Sequence, residues 1–160
     1  MAPTRKVVPK RGAASRKWFT PIVFYWVLAI IALLGLADAT FLTVAHLTGD
    51  DAVCGTAVGC STVLGSSYAT MKGIPTAAFG AIAYFTVFSL AVLAAFGYAR
   101  ARSFLLAVIV LMFIASLYFL YLQAFVLHAF CPFCLFSAAM TFLLTGLVIA
   151  LPAAPLPDAD

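Results

Sequence analysis

The chain contains no glutamate and no asparagine, and five aspartates are all that stand against nine lysines and arginines. Charged residues fill 9% of its 160 positions, while 66% are apolar. A water-soluble domain of this length needs far more charge, so the scarcity excludes one and points to an integral membrane protein. There is no internal repeat and no low-complexity tract beyond a basic N-terminal tail. One compact bundle is therefore the natural organisation. Leu135, not histidine, follows Cys134, which excludes haem attachment through C-x-x-C-H. The net charge of +4 says little as a sum, because six of the nine basic residues lie in the first 17 positions. A cytoplasmic membrane flank explains that tail better than nucleic-acid binding does.

What is present is apolar and segmented. Four stretches stand out: Trp18–Leu47, Pro75–Ala99, Ser103–Leu127 and Phe133–Leu151. Each reaches or nears the roughly 20 residues that cross a hydrocarbon core. Lipid offers no partner to unpaired backbone groups, so helices are expected. Pro21 and Pro75 are expected in first turns, where a missing N–H costs little. The reading is an all-α integral membrane protein, a four-transmembrane-helix bundle. Residues 1–17 form a disordered basic cytoplasmic tail, 18–151 the membrane domain, and 152–160 a short C-terminal tail.

Orientation follows from lysine and arginine. Arg5, Lys6, Lys10, Arg11, Arg16 and Lys17 flank the first span, and Arg100 and Arg102 sit between the second and third. The first loop has only Lys72 beside Asp50 and Asp51, and the His128–Phe130 turn has no lysine or arginine. The bias puts both termini in the cytoplasm and residues 48–74 and the Cys131 turn outside. A cleaved signal peptide ending near Ala37-Asp38-Ala39 is the rival parse. The apolar run continues through Phe41, Leu42, Val44 and Leu47, too long for a plain signal core.

All four cysteines then lie on one oxidising face. Cys131 and Cys134 are three apart at the mouth of the last span, with both sulfurs on nearly one helix face. A helix N-terminus favours thiolate there. Cys54 and Cys60 flank Gly55-Thr56-Ala57-Val58-Gly59, a flexible loop in which sulfurs can meet or part. Alternatives remain for each pair: static staples, buried free thiols, or a zinc site made by all four. A dithiol at the membrane surface needs an acceptor that dissolves in lipid, and a quinone takes two electrons and two protons. Thiol–disulfide exchange moves two electrons between pairs without metal. The order is then an external dithiol, Cys54/Cys60, Cys131/Cys134, quinone, with Cys134 one turn into the membrane and nearest the ring.

These residues resemble the bacterial branch of the vitamin K epoxide reductase family. The match runs through His46, Cys54-x5-Cys60-Ser61, Val63-Leu64, Ser66-Ser67-Tyr68, Gly73-Ile74-Pro75, Gly80, Tyr84 and Cys131-Pro132-Phe133-Cys134. It covers residues 30–150. The other quinone-linked thiol oxidases place their C-x-x-C in the first outer loop, the reverse order. The resemblance implies catalytic cysteines Cys54, Cys60, Cys131 and Cys134, and a quinone pocket near the outer surface. A short capping helix in the cysteine-bearing outer loop would cover it, with Ser61–Met71 as candidate and Val63, Leu64, Tyr68 and Met71 facing down. It further implies a quinone acceptor of the menaquinone, ubiquinone or phylloquinone type, no metal, and a bacterial inner-membrane location. The partner it implies is a thioredoxin-fold (DsbA-like) protein, supporting disulfide formation in exported proteins. Because the chain stops at Asp160, that partner is expected to be separate.

Two departures matter. Where the animal enzymes place a tyrosine after the C-x-x-C, this chain has Ala138, and the quinone-binding asparagine of those enzymes has no counterpart. Quinone reduction is therefore expected rather than epoxide reduction. Ser66, Tyr121 and Gln123 are candidate polar replacements, and Phe133, between the two cysteines, is expected to line the pocket beside Ala138. Asp38 lies within the first span, where a charge is expensive, and serves either protons or a helix contact. His128, three before Cys131, is a candidate thiolate or proton partner. The reading from a different class is a structural or transport membrane protein stapled by two passive disulfides.

Overall fold

The structure, a computed structural model, describes residues 12–49 and 59–150, with side chains from Ile22 onward. Cys54 and the C-terminal tail lie outside the described residues. The elements are α1 (Gly12–Thr48), α2 (Cys60–Leu64), strands β1 (Thr70–Met71) and β2 (Ile74–Pro75), α3 (Thr76–Ala95), α4 (Ala99–Tyr121) and α5 (Pro132–Ala150). A π-helical turn, Leu122–Val126, extends α4.

Four helices are long and apolar enough to cross a membrane: Ile22–Thr48, Thr76–Ala95, Ala99–Val126 and Pro132–Ala150. They close a ring, α1 on α3, α3 on α4, α4 on α5 and α5 on α1, with the α1–α3 seam the most extensive. The core explains the closeness. Leu28, Ala29, Ala32 and Ala39 of α1 meet Tyr84, Val87, Ala91 and Ala94 of α3, with Leu105 and Ile109 of α4 and Leu144 of α5. Buried positions recur every three or four residues, one helix face apiece. Alanine dominates that face because small side chains let backbones approach where lipid supplies no hydrophobic drive between helices. The opposite faces expose Ile30 and Leu34, Ile82 and Phe85, Leu111 and Ile114. A water-exposed protein does not carry such a surface, whereas acyl chains accept it.

The element boundaries refine the sequence reading. α1 begins at Gly12, so the last residues of the tail expected to be disordered are helical. Ala13, Ala14, Arg16 and Lys17 have good helix propensity. Pro21 thus lies well inside α1 instead of in its first turn, while Pro75 caps α3 from the position before its first residue. The capping helix stops at Leu64, because Gly65, Ser66 and Ser67 favour turns over helix. From there the chain turns into the β1–β2 hairpin, paired Thr70 with Pro75 and Met71 with Ile74. Both the amide and the hydroxyl of Thr76 donate to the Ala69 carbonyl, at 2.8 and 3.0 Å, which ties the hairpin to the start of α3.

This topology gathers the end of α1, α2, the hairpin, the π-turn and the start of α5 at one end of the bundle. Arg100 and Arg102, at the start of α4, lie at the other.

Candidate active site

Cys60 opens α2 and Cys131 immediately precedes α5, and the two form one fully buried cluster, each 0% exposed. Val63, Leu64, Phe133 and Cys134 pack around them. Gly59 makes the approach possible. Its φ of 99° is left-handed, and a Cβ there would stand 2.9 Å from the Phe130 carbonyl oxygen. Only glycine meets both conditions cheaply, so the loop backbone can lie against residues 129–130 and carry Cys60 to Cys131.

The three described cysteines are not all in one redox state. Cys60 is disulfide-bonded, while Cys131 and Cys134 are free thiols. The Cys131 thiol is lowered from the ordinary 9.0 to about 7, chiefly by the hydrogen bond from Cys134, against the opposing effect of burial and with help from the Cys134 and Phe133 amides. Those amides are the unpaired donors of the α5 N-terminus, where negative charge is favoured. Cys131 is therefore the sulfur that ionises first.

Gln123 fixes where Cys131 sits. It is buried, and its Oε1 accepts the Cys131 backbone N–H at 3.0 Å. The π-turn brings it there: the Leu127 amide donates to the Leu122 carbonyl at 2.8 Å, widening the helix, and the Ala129 amide donates to the Gln123 carbonyl at 3.1 Å. With Oε1 committed, the amide nitrogen is free to donate elsewhere. Replacing Gln123 by leucine is expected to strand the buried Cys131 N–H and cost about 1–3 kcal/mol. Chemical unfolding of the reduced protein in detergent measures this, and an unchanged midpoint would contradict it.

Beside Cys134 lies a cavity of about 440 Å³, within the range that takes a small organic ring system. Ala39 and Leu42 of α1, Met112 and Phe119 of α4, and Ala138 of α5 form apolar walls. Val63, Leu64, Tyr68 and Met71 cover it from the cap. Its polar side chains are few: Ser66, Tyr68, Thr76, Tyr84, Ser116, Gln123, Ser137 and Thr141. Ser66 already donates to the Val63 carbonyl at 2.7 Å. Tyr84 donates to the Ser137 carbonyl at 2.6 Å and pairs with the hydroxyls of Ser137 and Thr141 at 3.1 and 3.0 Å. Neither the Gln123 amide nitrogen nor the Ser116 hydroxyl donates to an acceptor among the described residues, so both are available to a ligand oxygen.

The residues singled out from the sequence thus divide. Cys134, Ser66, Gln123 and Ala138 line the cavity. Phe133 does not; it covers the cysteine cluster and stacks on Phe41 with ring centres 5.6 Å apart. One residue before Cys134, it is turned about 100° away around the helix. Tyr121 is also off the cavity, exposed and stacked on Phe125 at 5.2 Å. His128 is exposed, with φ of 48°. The sequence reading missed the cavity roles of Tyr84, Ser137 and Thr141. Their spacing offered a signal, since Ser137 and Thr141 lie one turn apart on the face that carries Cys134.

A buried disulfide half against a thiolate-prone cysteine, with the second thiol opening onto an apolar cavity, is an arrangement for moving electrons through sulfur. The family model for the vitamin K epoxide reductase family matches residues 26–149, and the chain belongs to that family, as a multi-pass membrane thiol oxidoreductase.

Proposed function

We propose that the protein relays two electrons from a separate thioredoxin-fold dithiol protein, outside the cytoplasm, to a quinone in the membrane, and so supports disulfide formation. One observation carries the reading: Cys60 packs on Cys131 while Cys134 lines the cavity. The family uses quinone and works with thioredoxin-like partners, which supports both ends of the relay. The cavity fits the head group by size, by its apolar walls and by the free Gln123 donor. Ser66, Gln123 and Ala138 are the proposed contacts.

In this relay Cys54 is taken as the loop partner of Cys60. A partner thiolate attacks Cys54, Cys60 leaves, and the partner's second thiol resolves the mixed bond, leaving the loop as a dithiol. Cys60 then attacks Cys131 of the inner disulfide, and Cys134 leaves. Cys54 attacks Cys60, closing the loop disulfide and freeing Cys131. Two electrons now rest on Cys131 and Cys134, the state of this structure. A bound quinone supplies the sink for those two electrons together with two protons.

Quinone-dependent oxidation of a reduced thioredoxin-fold protein by the purified, detergent-solubilised chain is the test. A protein stapled by passive disulfides would leave the partner reduced with every quinone tried, and that result would sink the proposal. The pH dependence is a second check. Thiolate is the reacting form, so the reverse exchange, in which reduced Cys131 attacks Cys60 of the loop disulfide, should climb with pH and level off above about 7. A rate still climbing to the ordinary thiol value would show that Cys131 is not activated.

A further inference from the structure

The relay leaves the acid within the first span without a task. Asp38 lies inside the span of α1, half-buried, and its Oδ2 is buried with no hydrogen-bond partner among the described residues. Its neighbours locate it. Phe41, one turn toward the cysteine end, stacks on Phe133, and α5 runs antiparallel to α1. Asp38 is therefore one turn deeper, level with the stretch that follows Cys134. It interacts electrostatically with Cys131, Cys134 and Tyr84. The next residue, Ala39, lines the cavity. Asp38 thus stands in the α1–α5 seam, close to the Cys134 and Tyr84 walls of the cavity.

Among the described residues those three groups are the titratable ones that face it, because α3 and α5 carry no lysine, arginine, histidine or other acid. Nothing on the helices packed against α1 neutralises a charge there. A carboxyl buried without a donor inside a membrane span carries a proton at less cost than a charge.

Proton balance supplies the task, and the argument rests on the relay proposed above. Turning a quinone into a hydroquinone takes two electrons and two protons. A reduced C-x-x-C with Cys131 as thiolate holds both electrons but a single proton, on Cys134.

We propose that Asp38 stores the second proton of the reduced centre. Before transfer, Cys131 is a thiolate, Cys134 a thiol and Asp38 a neutral acid. The S–H bond of Cys134 and the O–H bond of Asp38 break as the Cys131–Cys134 bond forms. Two electrons leave the sulfurs for the quinone, both protons finish on its oxygens, and Asp38 remains as carboxylate. One negative charge stands on each side of the step.

Redox-difference infrared spectroscopy on the full chain in detergent, with dithiothreitol as reductant and no quinone, reads the proton directly. A protonated-carboxyl band is expected in the reduced form, lost on oxidation of Cys131 and Cys134 and absent from Asp38→Asn. With quinone added, Asp38→Asn should turn over about 10²-fold more slowly and slow further as pH rises, since its second proton then comes from solvent. Its exchange with the partner dithiol should be unchanged. Asp38→Glu, which retains a carboxyl, should show a shifted band, and it serves if the asparagine variant does not fold. Absence of a redox-linked band, or a wild-type rate and pH profile in Asp38→Asn, would overturn the inference. If the wild type reduces no quinone, the relay fails, and the infrared band still decides whether Asp38 exchanges a proton with the dithiol.

Discussion

Replacing Cys134 by alanine should abolish quinone reduction, by at least about 10³-fold, while the protein still folds and still meets its partner. The side chain is small and half-buried, at the edge of the cavity, so its loss opens little space in the core. What disappears is the second sulfur of the inner pair. Cys131 is left without its partner in the inner disulfide that forms when electrons depart. Cys131 itself remains buried against Cys60, and thiol–disulfide exchange at that contact can still proceed one step. A Cys60–Cys131 mixed disulfide should therefore accumulate, with Cys54 released as a free thiol. Peptide mapping under non-reducing conditions would detect it. A variant that keeps quinone reduction, or that accumulates no mixed disulfide with its loop oxidised and no reductant present, would mean that electrons do not pass through this pair.

Gly35→Ala should be the most damaging single methyl in the described helices. A Cβ at Gly35 would run into the Tyr84 ring. The ring has no room to retreat, because Tyr84 is 1% exposed and its hydroxyl is held by Ser137 and Thr141 of α5. That one side chain links α1, α3 and α5, so a push on it is shared by three helices. Overpacking of this kind costs about 3 kcal/mol, at the upper end of the usual range. Unfolding in detergent should show it. A double-mutant cycle identifies the cause: in a Tyr84→Ala background the alanine at Gly35 should cost almost nothing, since the two effects share one contact. Equal costs in both backgrounds would place the damage elsewhere.

Much of the fold is legible in the sequence because lipid simplifies the problem. An unpaired backbone group has no partner in hydrocarbon, so a long apolar run must be helix, and four runs give four spans. The C-x-x-C spacing and the short glycine-flanked loop mark the sulfur chemistry without any structure. Boundaries are less legible. α3 ends at Ala95 and α4 begins at Ala99, inside what hydropathy alone assigns to the second span and the following turn. Apolar character persists across the join, and the break is made by Gly97, whose φ of 91° ends the helix.

The site is less legible still, for a related reason. Both the lipid face and the core face of each helix are apolar, so hydrophobicity does not say which way a residue points. Phe133 and Cys134 are adjacent, yet one covers the cysteine cluster and the other opens onto the cavity. Gln123 turns inward through a π-turn that no composition signal announces. Tyr121, two residues earlier, turns out.

By itself the sequence determines the membrane class, the number of spans, the spacing of the four cysteines and the presence of an acid within the first span. Each follows from a local rule of length, charge or spacing. Tertiary structure alone decides that Cys60 meets Cys131, that Gln123 rather than Tyr121 holds the cysteine turn, and that Asp38 stands near both sulfurs. These depend on helix rotation and on close backbone approach at Gly35 and Gly59, which packing sets and residue patterns do not encode.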